Sequence, residues 1–138
     1  MILGLMMKLL LGFPLLALAA GCSSKPSTCS GTDVKGTYLL SYKERASGTC
    51  GALPDVVGVI PGKVPDGYDC KLDETLSNGK CTKTTQSTCK KDDGTVVQST
   101  VVYTQQDDGG DELVGLFTVT ISGTAQCTST YDVTAIRQ

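Results

Sequence analysis

The run "KKDDGTVVQSTVVYTQQDDGGDELVGLFTVTISGTAQCTSTYDVTAIR", residues 90–137, decides the fold. Its polar clusters "KKDDGT", "QDDGGDE" and "SGTA" are rich in Asp, Gly and Ser, the residues that supply turn geometry, and between them the apolar positions recur with period two. Three strands are predicted, over 95–105, 113–121 and 126–137. Val97, Val101 and Tyr103 share one face of the first. Leu113, Phe117, Val119 and Ile121 mark the second, with Gly115 as a bend or bulge, and Tyr131, Val133 and Ala135 mark the third. Connections this short reverse the chain, so the three strands form an antiparallel meander.

The same period continues towards the N-terminus. In "SNGK", residues 77–80, Asn78-Gly79 readily takes the positive backbone dihedrals of a tight primed turn, which sets Ser77 opposite Lys80. The strand that follows, 81–91, is almost wholly Thr, Ser, Gln and Lys between two cysteines and is expected to face solvent on both sides. Before the turn, Tyr68, Cys70, Leu72 and Leu76 lie on one face of a strand, although Asp73 and Glu74 leave one helical turn open there. Residues 56–60, bounded by Pro54 and Pro61, form a short apolar strand. Val34, Tyr38, Leu40 and Tyr42 alternate with Lys35, Thr37, Ser41 and Lys43 in a half-buried one. The expected fold is all-β: a small antiparallel meander of about six or seven strands, as a curled sheet, barrel or sandwich.

The N-terminus reads as an export signal. Lys8 supplies charge, residues 9–20 an apolar core too short to span a bilayer, and Ala19, Ala20 and Gly21 the small residues a signal peptidase needs. Cys22 directly after Ala-Ala-Gly resembles the bacterial lipobox, whose cysteine is acylated and becomes the mature N-terminus; Ala19 stands where that motif usually has Leu. The competing reading is cleavage near Ala20 with a spare thiol. Met7 is the more natural start, because the six residues before it carry no positive charge. Ser23 after Cys22 resembles the context sorted to the outer membrane. The expected organisation is a signal peptide over 1–21, the lipidated Cys22 with a flexible tether over 22–28, and one β domain over 29–138.

With Cys22 lipidated, Cys29, Cys50, Cys70, Cys81, Cys89 and Cys127 remain, an even set in an exported chain, so three disulfides are expected. Zinc is the competing use, but the chain has no Cys-x-x-Cys and no histidine. If every connection reverses direction, Cys50 and Cys81 fall at one end of the sheet and the other four cysteines at the opposite end. Cys81 and Cys89, at opposite ends of one extended strand, are about 26 Å apart and do not bridge. This favours Cys50 with Cys81, Cys70 diagonal to Cys89, and Cys29 with Cys127, with Cys50 to Cys70 as the rival.

Composition narrows the function. A net charge of −2 with no basic stripe removes the usual electrostatic basis for binding nucleic acid. The absence of histidine removes Ser-His and Cys-His nucleophile pairs, so no catalytic residues, metal ligands or cofactor are assigned. The acidic loop 107–112, "DDGGDE", offers oxygens to calcium but without EF-hand spacing, and reads first as a solvated hairpin turn. Asp66, Asp69, Asp73 and Glu74 could include an acid and base pair for glycoside chemistry, although carboxylates beside turn residues are more often surface charge. Residues 46–67 are the longest loop, expected either to pack over an open end of the sheet or to present Val and Ile to a partner.

The lipobox, "GTYLLSY", "SGTCGALP", "CTKTTQSTC" and the closing "CTSTYDVTAIRQ" resemble a group of small cysteine-containing lipoproteins of myxobacteria and related social or predatory bacteria. The resemblance implies an envelope location and a β fold and supplies no activity. "GTY" is also faintly similar to the opening of lipocalin-type barrels, without their tryptophan, and the scarcity of large apolar residues argues against a roomy cavity. Three readings follow. The first is a non-enzymatic structural or interaction module anchored by lipid to the outer membrane, on its periplasmic or outer face, with an envelope protein as partner. The second is a small ligand-binding barrel. The third is a disulfide-rigid inhibitor presenting the 46–67 loop.

Overall fold

The computed structural model describes residues 28–30 and 34–138. It contains seven strands: β1 (Gly36–Glu44), β2 (Val56–Ile60), β3 (Tyr68–Ser77), β4 (Thr82–Lys91), β5 (Val96–Gln105), β6 (Glu112–Ser122) and β7 (Cys127–Arg137). They form one curled antiparallel sheet in the order β2-β1-β7-β6-β5-β4-β3. Among the described residues there is no helix, and the helical turn left open near Asp73 is strand. The signal peptide, Cys22 and most of the tether lie outside the described residues.

Period two sets the faces. In β7 the residues Ser129, Tyr131, Val133 and Ala135 are buried in strict alternation with half-buried or exposed neighbours. The ladders carry this concave face across the sheet, Leu113 opposite Ala135, Phe117 opposite Tyr131 and Val101 opposite Phe117. Two apolar clusters stack along it. The lower one gathers Val34, Tyr38, Leu40, Ile60, Leu113 and Ala135, and the upper one gathers Val119, Tyr131 and Val133 with Leu53, Phe117 and Ile121. Tyr42 and Tyr103 pack against both. Tyr42 meets the rings of Phe117 and Tyr131 edge-on, at centroid distances of 6.1 and 6.2 Å, a favoured aromatic geometry.

Gly115 makes neither bend nor bulge in the ladder: it pairs in register with Tyr103 on one side and Val133 on the other. Glycine is needed there for closeness, since a Cβ would lie 1.7 Å from the Val102 carbonyl oxygen.

One connection does not reverse the chain. β2 ends at Ile60, level with Gly36 at the lower end of β1, and β3 begins at Tyr68, opposite Lys91 at the upper end of β4. Following the antiparallel ladders around the sheet, β2 and β3 run in the same direction. Residues 61–67, opening on the cis Ile60–Pro61 peptide, therefore climb from one end to the other in the seam between the two sheet edges. Every cysteine after this crossing changes ends relative to the up-and-down expectation.

That corrects the sulfur pairing. Cys81 falls at the lower end and bonds Cys29, and Cys127 falls at the upper end and bonds Cys50; the expected pairs Cys50 with Cys81 and Cys29 with Cys127 are absent. Cys70 bonds Cys89 as expected. These two sit directly opposite each other and not on a diagonal, because the hairpin loop is longer than Asn78-Gly79. Asn78, Gly79 and Lys80 all take positive φ (50°, 64° and 69°), and Ser77 faces Thr82 instead of Lys80. The shift of two residues leaves every side chain on its expected face.

The bond between Cys50 and Cys127 closes 77 residues and that between Cys70 and Cys89 closes 19. In the chain-entropy account the longer closure is worth about 1 kcal/mol more. Urea unfolding of Cys50→Ala/Cys127→Ala should show the larger loss of stability than Cys70→Ala/Cys89→Ala; the reverse order would mean that the edge strand depends on its bridge more than the upper loop does.

Candidate functional site

The curled sheet bounds a half-open cavity of about 270 Å³. Leu40 and Tyr42 of β1 and Ile60 of β2 form one wall, Leu72 of β3 with Val101 and Tyr103 of β5 the other, and the strap of residues 61–65 crosses the seam between them. The volume lies just below the usual range for ligand pockets. Strand order explains the hollow: the inward side chains of both edges face the same space, the strap crosses part of its mouth, and Leu72 and Glu74 on the free edge stay half-exposed.

β4 supplies the polar wall. Lys83, Thr85, Ser87 and Cys89 share the parity of Cys81 and face inward, so the strand expected to be solvent-facing on both sides has one face turned to the cavity, with Lys83 and Cys89 buried and Thr85 and Ser87 half-buried. The Lys83 side chain is only 5% exposed, and its Nζ donates to Glu74 Oε1 at 2.9 Å. Glu74, on the free edge strand, is 47% exposed. Ser87 and Ser99 join hydroxyls at 2.7 Å. Burial raises the Tyr103 phenol above its ordinary value of 10.0, reinforced by the charge of Tyr42 should that phenol ionise, and burial likewise raises Tyr42.

The sequence-marked carboxylates do not converge. Asp69 and Asp73 occupy the outer face of β3, Glu74 the inner, and Asp66 lies in the strap, so no acid and base pair is assembled from them. In the acidic loop, Asp107 is a turn former: its two carboxylate oxygens accept the Asp111 and Glu112 amides at 2.9 and 3.1 Å. Arg137 holds that loop against β1. Its guanidinium lies over the Tyr38 ring at 4.9 Å and donates to Asp111 Oδ1 and to the carbonyls of Lys35 and Gly110. Among the described residues no group of three or more metal-ligating side chains occurs.

The long loop divides into three parts. Residues 46–55 cover the upper end, where Leu53 packs on the core and the Tyr131 hydroxyl donates to the Gly51 carbonyl at 2.7 Å. Ser129 donates to Glu44 Oε1 and accepts the Cys50 amide, fixing the same loop. Residues 56–60 are edge strand β2, with Val57 and Val59 exposed on its outer side. The rest is the strap.

No family model, curated protein or solved structure matches this chain. The functional reading rests on the cavity itself.

Lys83 escaped the sequence reading, and the signal was parity: Cys81 and Cys89 mark the inner face of β4, and residue 83 lies on it. The buried phenol gives a pH test. With the folded Tyr103 pKa raised, stability is fully present below the unfolded value near 10 and falls as pH rises above it, because the unfolded chain ionises first. Tyr103→Phe should flatten the loss of urea stability between about pH 9 and pH 11; an unchanged slope would show that Tyr103 ionises as freely as in the unfolded chain.

Proposed function

We propose that this chain is a lipid-anchored, non-enzymatic protein of the bacterial envelope that binds a small ligand in the strapped cavity. The observation that carries the reading is the cavity: apolar walls from β1, β2, β3 and β5, a few placed polar groups on β4, and a covering segment outside the hydrogen-bonded ladder. Apolar surface broken by a small number of fixed polar groups is the usual chemistry of a binding pocket. Sequence composition supports a non-enzymatic role, since the chain has no histidine. Three disulfides support folding in an oxidising compartment. The anchor reading rests on the lipobox-like stretch over 18–22 and on Ser23, which favours the outer membrane. Cys29 is held at the lower end of the sheet by Cys81, so a chain leading from a lipidated Cys22 reaches the domain at that end.

The protein contains no tryptophan, so Leu72→Trp places a lone indole beside the cavity. In this variant, short amphiphiles should shift the indole emission to the blue in a saturable way. Adding Val101→Phe, which takes up cavity space without a second indole, should abolish the saturable change. Detergent-phase partition of the full-length protein, lost in Cys22→Ser, checks the anchor. An emission insensitive to every amphiphile would remove the ligand-binding reading, and aqueous-phase partition of the unsubstituted protein would remove the anchor.

A further inference from the structure

The charges around the cavity identify the class of ligand. Lys83 on β4 and Lys63 on the strap line it, against one carboxylate, Glu74. The two partners of the buried ion pair are not equally bound to their places. Lys83 is nearly fully enclosed, with its ammonium at the cavity wall, whereas Glu74 is half-exposed on an edge strand and swings into water at little cost. A ligand anion can therefore replace Glu74 on Lys83, while a ligand cation has no such vacancy, because Lys83 has nowhere to withdraw. Beside the ammonium the lining is apolar, with Leu40, Ile60 and Val101 and the half-exposed Leu72, and a cavity of about 270 Å³ admits only a short chain.

We propose that the site takes a short amphipathic carboxylate, its head group on the Lys83 ammonium and its alkyl chain beneath the strap. This inference rests on the cavity reading above and adds the head group. Ionised acceptors on a buried ammonium form stronger hydrogen bonds than neutral ones, and the difference amounts to about tenfold or more in affinity.

The test compares octanoate, octanol and octylammonium by calorimetry at neutral pH, below their micellar concentrations, on the folded, disulfide-intact protein. Octanoate should bind more tightly than either of the others, and by about tenfold or more in Glu74→Gln, where no carboxylate has to be displaced. Lys83→Met should bring octanoate down to the affinity of octanol while octanol keeps its own. Glu74→Gln, a change at a half-exposed position, should tighten octanoate by removing its competitor, and it serves as the independent variant if Lys83→Met does not fold. Equal binding of octanoate and octanol, both blocked by Val101→Trp, would overturn the head-group assignment and leave the cavity reading standing. Preferential binding of octylammonium would overturn it in favour of Glu74. Binding of none of the three would overturn both.

Discussion

The two edges of the sheet run in the same direction, and the chain between them is too short to let them pair. Parallel neighbours need a crossover of about a dozen residues or more, and here seven, residues 61–67, join β2 to β3. An antiparallel seam is excluded because following the alternating ladders around the seven strands brings the last edge back with the direction of the first. The connection therefore lies in the seam, where an eighth strand would run. With Pro61, Gly62, Pro65 and Gly67 it is poorly suited to become one. Curl, strap and cavity all follow from this constraint.

The sulfur bridges stand at the margins of the sheet. Cys70 and Cys89 tie the edge strand β3, most of whose residues are exposed. Cys50 and Cys127 hold the loop that covers the upper end, together with the Ser129, Glu44 and Tyr131 contacts. Cys29 and Cys81 fasten the N-terminal segment to the lower hairpin, and the Cys29 amide donates to the Gly79 carbonyl at 2.8 Å. Small domains folded in oxidising compartments often carry such links. The buried side of the sheet is also partly polar. Lys83, Thr95, Gln105 and Ser129 are all buried, so covalent links add to an inner face that is not wholly apolar.

Strand existence and facing were legible because period two is a local property: Val97, Val101 and Tyr103, or Tyr131, Val133 and Ala135, announce their face within a few residues. The β class and the bond between Cys70 and Cys89 followed from the same locality, since a hairpin register brings those two together. Strand order was not legible. It depends on whether a seven-residue Pro/Gly segment turns back or climbs across, and both leave the same local pattern. A single wrong reversal there exchanged two sulfur pairs. The inward face of β4 was hidden for a different reason. Its alternating residues, Lys83, Thr85 and Ser87, are polar, so hydrophobic periodicity is silent where the cavity wall is built, and the flanking Cys81 and Cys89 are the remaining markers of that face.

The climbing strap is thus the claim on which the cavity and its buried ammonium depend, and the cysteines report its direction. Peptide mapping of the unreduced protein by mass spectrometry tests it most directly. The account requires Cys29 joined to Cys81 and Cys50 joined to Cys127. Recovery of Cys50 joined to Cys81 and Cys29 joined to Cys127 would mean that the chain turns back after β2, and the seam with its strapped site would not exist.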